Sequence, residues 1–302
     1  MPALNRTTLT LLAPLAGAAL IWAADLAWAA GAGLRVAGLG GLAASVLLLL
    51  VSLLFYRRRA AGDRAAELVF GFALFLALTT GTGLMSYLAA TIGRPWADPW
   101  LARSDAALGF DWLGWYRLVQ SHPLLHHLLG TAYGSMIPQV TLCLFAFPLV
   151  GMGARNREFI ATLAAGMVPT LLGFALFPAV CAWVYYDVDP THIPVHMLDL
   201  QALRGGAFPV LDLARMHGLV TFPSYHAVVA VLLICAARGT SFFFLSLAVN
   251  LLMLASVPSE GGHYLTDLLA GVAVALASIL LVRVAAARIA GARPATAGGF
   301  AR

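Results

Sequence analysis

Apolar residues in this chain fall in long blocks, not in the alternation of a half-buried strand or the stripe of a surface helix. Eight blocks stand out, at about 9–30, 38–56, 66–91, 130–152, 159–185, 223–237, 241–257 and 263–286. A helix needs roughly 20 apolar residues to cross the hydrocarbon of a bilayer. The pattern therefore predicts an all-α, polytopic integral membrane protein with about eight transmembrane helices. Polar residues collect in two long connections, roughly 92–129 and 186–222. The first carries Trp96, Trp100, Trp112, Trp115 and Tyr116 among charges and leucines. From Asp105 to Trp112 it reads as a short amphipathic helix lying in the interface, its tryptophans in the aromatic belt. The second holds Asp187, Asp189, His192, His196, Arg204, Arg215 and His217.

Composition sharpens this picture. The chain has 302 residues, of which 61% are hydrophobic and 10% charged, against roughly 25% charged in an average soluble protein. One membrane domain fits, with no room for a sizeable soluble module. The net charge of +5 comes from arginine alone, with no lysine anywhere. Twelve arginines fall on one side of the spans: Arg6, Arg57, Arg58, Arg59, Arg64, Arg155, Arg157, Arg238, Arg283, Arg288, Arg293 and Arg302. Six fall on the other: Arg35, Arg94, Arg103, Arg117, Arg204 and Arg215. The positive-inside bias then predicts cytoplasmic termini in a bacterial inner membrane and reads the basic pI as topology, not nucleic-acid binding. Ala27-Trp28-Ala29 has the form of a signal cleavage site, but the run before it is long, and an uncleaved span is expected. Asp25, near its end, is expected to reach an interface or a neighbouring helix. Cys143, Cys181 and Cys235 lie in apolar runs at wide spacing, which suits packing rather than disulfides or zinc. His192, His196 and Asp187 are too loosely spaced for a metal site, so none is expected. His122, His126 and His127 read as interfacial, and Tyr133 and Gln139 as span residues, Gln139 bonding between helices.

Two stretches carry chemistry. In Gly261-Gly262-His263-Tyr264-Leu265-Thr266-Asp267, the histidine and the aspartate stand four residues apart at the entrance of a span. On a helix they share one face, so the carboxylate can hold one imidazole nitrogen and leave the other as nucleophile or base. Ionisable residues at such depth are functional by default. The partner stretch is Pro223-Ser224-Tyr225-His226. Proline fixes the helix entry, while Ser224 and the free amides of the first turn form an anion site. By the arginine count His226 and His263 face the same side, away from the cytoplasm. Two histidines, a carboxylate and a helix N-terminus suit phosphoryl transfer, one histidine attacking phosphorus and the other protonating the leaving oxygen.

These stretches resemble the phosphatidic acid phosphatase type 2 superfamily, whose second motif Pro-Ser-x-His matches residues 223–226 and whose third ends His-x-x-x-Asp, matched by His263 and Asp267 with Gly271 trailing. The resemblance is closest to the inositolphosphotransferase branch, which includes inositol phosphorylceramide synthase, through Tyr225 and an upstream segment like Leu108-Gly109-Phe110-Asp111-Trp112. It implies that His263 forms a phosphohistidine, Asp267 orients it, His226 is the general acid, and Ser224 contacts the phosphate. It covers roughly 66–286 as a six-helix catalytic core, with two extra helices in 1–65 and a disordered cytoplasmic tail at 287–302. The third motif normally opens Ser-Arg, where this chain has Ser256-Val257, and no Lys-x(6)-Arg-Pro stands near residues 180–195. Arg204, Arg94 and Arg215 are the replacement phosphate ligands to be considered, with Tyr225 beside the substrate, and His217 at the entrance. The implied activity is a lipid phosphatase or phosphotransferase acting on a phospholipid, sphingolipid or polyprenyl phosphate at the extracytoplasmic face, with no cofactor. Water or a polyol such as inositol is the acceptor. The alternatives are a non-enzymatic lipid-binding or transport protein, and a metal-dependent hydrolase using the same three side chains as ligands.

Overall fold

The computed structural model describes residues 6–58, 64–188, 195–207 and 210–291. The long apolar blocks are helical, as they must be where hydrocarbon offers the backbone no hydrogen bonds. In order these are α1 (Arg6–Gly31), α2 (Gly40–Arg58), α3 (Arg64–Ala90), then α4 (Asp98–Ala107) and α5 (Trp112–Ser121) in the first long connection. They are followed by α6 (Pro123–Gly134), α7 (Met136–Leu149), α8 (Gly153–Leu176), a single turn α9 (Ala182–Tyr185) and α10 (Val195–Arg204). The last three are α11 (Tyr225–Ala237), α12 (Phe243–Glu260) and α13 (Leu265–Gly291). The helical class expected from the sequence holds, with one addition. Arg35–Ala37 (β1) pairs in parallel with Val210–Asp212 (β2), tying the end of α1 to the segment that leads into α11.

By length and apolarity the count of eight spans is not reached among the described residues. Among the described residues, α3, α8, α12 and α13 each qualify, and α6 with α7 makes a fifth if that pair, bent by 43°, is one span. The expected straight span at 130–152 is broken because Pro138 has no amide to donate and its ring would strike the carbonyl of Gly134, where α6 ends. The span expected at 159–185 stops at Leu176 because Phe177 precedes Pro178, which disfavours helical backbone. The block at 223–237 gives only the 13 residues of α11. The tail expected to be disordered from residue 287 is helical as far as Gly291; beyond it the call lies outside the described residues, as does that on His192.

The central core joins α3, α7, α8, α11 and α13 through Phe70, Leu74, Leu144, Phe159, Leu163, Val228, Leu232 and Ala275. Glycines let these helices approach: a methyl on Gly166 would lie 2.9 Å from Val228 Cγ1. One end of the bundle holds Arg155, Arg157, Arg238 and Arg283. Glu158 on α8 takes Arg238 and, at 3.4 Å, Arg283, while Arg157 reaches Glu67 at 2.5 Å. Arg155 donates to the carbonyls of Ala236 and Arg238 at the end of α11. The histidines gather at the other end, where α11 and α13 begin.

Candidate active site

His263 lies in the turn ahead of α13 and is 6% exposed. Its Nδ1 is 3.3 Å from Oδ2 of Asp267, which is 1% exposed and also accepts from the Tyr264 amide at 2.9 Å. The four-residue spacing thus performs as the sequence suggested: a carboxylate in the first turn of α13 closes back on the residues before it. With Nδ1 donating to the carboxylate, Nε2 is left with its lone pair.

The entrance to α13 is held from outside by the first long connection. Asp105 on α4 accepts from the Leu265 and Thr266 amides and from the Thr266 hydroxyl, at 2.8, 2.8 and 2.7 Å. It acts as an N-cap supplied from 160 residues away. Asp98, at the start of α4, accepts from the Tyr264 hydroxyl at 3.0 Å and from the Val180 amide at 2.9 Å. Burial and the neighbouring Asp98 charge hold the Tyr264 hydroxyl well above its ordinary range, so it remains a donor. Trp112 is buried and donates to the His263 carbonyl at 2.8 Å. These placements correct the interfacial helix read from Asp105 to Trp112. The segment breaks at Gly109 (φ +77°), Asp111 caps α5, and Trp112 clamps the histidine turn instead of joining the aromatic belt. Trp183 donates to the Ser259 carbonyl and covers Gly262, whose positive φ of 62° turns the chain into His263.

His226 is in the first turn of α11. It feels the charge of His263 and stacks on the ring of Tyr133, centroids 3.9 Å apart and planes 14° from parallel. The two helix entrances are joined by backbone: the Ser224 amide donates to the Asp267 carbonyl at 3.1 Å, and a methyl on Gly271 would collide with the Ser224 carbonyl. The trailing glycine of the motif is therefore a packing requirement between α13 and α11. Ser224 caps α11, accepting from the Ala227 amide at 3.4 Å.

The sequence model of the PAP2 superfamily matches residues 99–281. The chain belongs to the PAP2 superfamily. The match runs from α4 into α13 and contains the residues just described except Asp98. No curated protein and no solved structure matches the chain. PAP2 proteins are phosphatases and phosphotransferases, and the several apolar helices make this one an integral membrane protein.

The remaining residues singled out in the sequence sort differently. Tyr225, expected beside the substrate, donates instead to the Leu163 carbonyl at 3.3 Å and packs in the core. Arg215, a possible phosphate ligand, is exposed and lies 3.8 Å from Asp212. Arg204 rests on Trp96, 3.7 Å from the ring centroid, and donates to the Arg94 carbonyl at 2.5 Å, while its Nη1 is buried without a partner among the described residues. Arg94 itself is exposed. Val257, standing where the PAP2 motif has arginine, is fully buried. His217 faces Asp199 at 3.7 Å, and Asp199 accepts from the Tyr87 hydroxyl at 2.6 Å. His196 feels both His263 and His217, and burial, with their charge, pushes it down to about 4. His126 pairs with Glu260 at 3.3 Å, next to the glycine turn. Asn250 donates to Gln139 at 2.9 Å, the interhelical bond expected of that glutamine. Among the described residues no group of three or more His, Cys, Asp or Glu has the spacing to hold a metal ion. Asp98, Asp105 and Tyr133 were missed in the sequence reading of the site; nothing local in the sequence marks them.

Proposed function

We propose that this PAP2 protein is a lipid phosphatase or phosphotransferase working through a phosphohistidine at His263. The observation that carries the reading is the Asp267–His263 pair, which holds Nδ1 and leaves Nε2 as the attacking atom. Nε2 forms a bond to phosphorus as the bond from phosphorus to the lipid oxygen breaks. His226 gives its proton to that leaving oxygen. In the second half, water or an alcohol attacks the phosphohistidine, passes its proton to His226, and frees Nε2. Asp267 steadies the imidazolium charge that develops on His263. The positive end of the α11 dipole, beside His226, favours the anion.

The substrate class is a phosphorylated lipid headgroup presented at the extracytoplasmic face, from a phospholipid, sphingolipid or polyprenyl phosphate. The segment Leu108–Trp112, similar to one in the inositolphosphotransferase branch, supports including a polyol acceptor in the test. Purified protein would be given phosphatidic acid, a ceramide-based phospholipid and a polyprenyl diphosphate, each with and without inositol, while free phosphate and phosphorylated inositol are measured. Release of phosphate without inositol marks a phosphatase, and phosphorylated inositol formed in its place marks a transferase. His263→Ala is expected to lower turnover by at least about 10³-fold. Full turnover by that variant would sink the phosphohistidine.

A further inference from the structure

Phosphoryl transfer concentrates negative charge on the non-bridging oxygens, and each needs a donor. This chain has Val257 in place of the motif arginine; Arg215 is exposed near Asp212, and Arg204 lies over Trp96 with its Nη1 unpartnered among the described residues. A donor also stands beside the histidines themselves. Tyr133, at the end of α6, has the required placement. Its ring is stacked on His226. The space beside Gly261 locates the hydroxyl: a methyl there would be 2.7 Å from Tyr133 Oη and 2.7 Å from His263 Cδ2. The hydroxyl and Cδ2, a ring carbon bonded to Nε2, thus border the same space. The hydroxyl has no hydrogen-bond partner among the described residues. A phenol placed between two histidines, with its own donor unused, is poised to receive an anion.

We propose that Tyr133 is a further catalytic residue, whose hydroxyl donates to a non-bridging phosphoryl oxygen during transfer to His263. The inference rests on the phosphohistidine reading above. The Tyr133 proton stays on its own oxygen throughout, and His226 remains the group that exchanges protons with the leaving and attacking oxygens. The stack on His226 and the absence of a side chain at Gly261 hold the phenol in place. Glu260, paired with His126 at 3.3 Å, closes α12 just ahead of Gly261.

The test is Tyr133→Phe, which keeps the stacked ring and removes only the hydroxyl. With phosphatidic acid in mixed detergent micelles, kcat is expected to fall about 100-fold, in the range of a lost oxyanion donor, with KM little changed. Orthovanadate, which copies the five-coordinate phosphorus, should inhibit the variant at least about tenfold more weakly than the wild type, while orthophosphate inhibition stays constant. The ratio of the two inhibition constants does not depend on how much of the variant is folded. Wild-type kcat and an unaltered vanadate ratio in Tyr133→Phe, beside an inactive His263→Ala, would overturn the role of Tyr133 and leave the phosphohistidine standing. Full activity in His263→Ala would remove both.

Discussion

Asp105 shows how much a single side chain can organise. Its two oxygens take three donors at the start of α13, including two amides that the helix itself cannot satisfy. Asp105→Ala would leave those donors buried and unpaired, and should cost about 2–3 kcal/mol, read as a lowered thermal midpoint in detergent, with activity falling because His263 begins the same turn. Asp105→Asn, which keeps one acceptor, should lose less. His196 adds a pH dependence of predictable sign. Its imidazole is held down to about 4, first by burial and then by His263 and His217, with Asp199 opposing. Between the ordinary 6.5 and about 4 the unfolded chain binds more protons than the folded one, so stability is full above about 6.5 and is lost as the pH falls toward 4. Thermal midpoints of wild type and His196→Gln between pH 7.5 and 4.5 check this. The variant should lose the part of the acid-side decline that His196 contributes. What was legible at this scale was what is local. Asp267 answers to His263 four residues back, and Ser224 caps its own helix. Asp98, Asp105 and Tyr133 act on partners far away in the chain, and no neighbouring residue reveals the pairing.

Among the elements, α11 and α13 matter most because the site is the place where their N-termini meet. The contact is tight enough that Gly271 has no room for a Cβ against the Ser224 carbonyl. Gly271→Ala should therefore push the two entrances apart and lower turnover by at least about tenfold, since misplacement on the scale of 1 Å costs this much or more. A kcat measurement alongside Gly83→Ala, where a methyl meets nothing within 4 Å, separates the effect from generic glycine loss. The same scale explains where hydrophobic blocks misled. Apolar content shows that a segment prefers hydrocarbon but not where a proline divides it, so 130–152 read as one span and is a bent pair. The 13 residues of α11 rise about 20 Å, against about 30 Å of hydrocarbon. The entrance to α13 is covered from outside by α4 and α5, through Asp105 and Trp112.

At the scale of the whole molecule, charge is sorted by end. Arg157, Arg238 and Arg283 meet Glu67 and Glu158 at one end, with Arg155 on the carbonyls that close α11, while His126, His196, His217, His226 and His263 meet carboxylates or one another at the other. That sorting was legible from arginine positions alone, because the rule that orients a membrane protein acts on the same loops. A phosphatase reporter active only outside the cytoplasm, fused after Arg302, should be silent, and one fused in the 186–222 connection should be active. The opposite pattern would invert the proposed orientation.

The joint between Ser224 and Asp267 is made of backbone on both sides, an amide meeting a carbonyl, with a glycine alongside. Short of a side chain added at Gly271, sequence variation leaves the joint untouched. The spacing of His226 and His263 then belongs to the scaffold, and changes in the loop helices would leave it as it is.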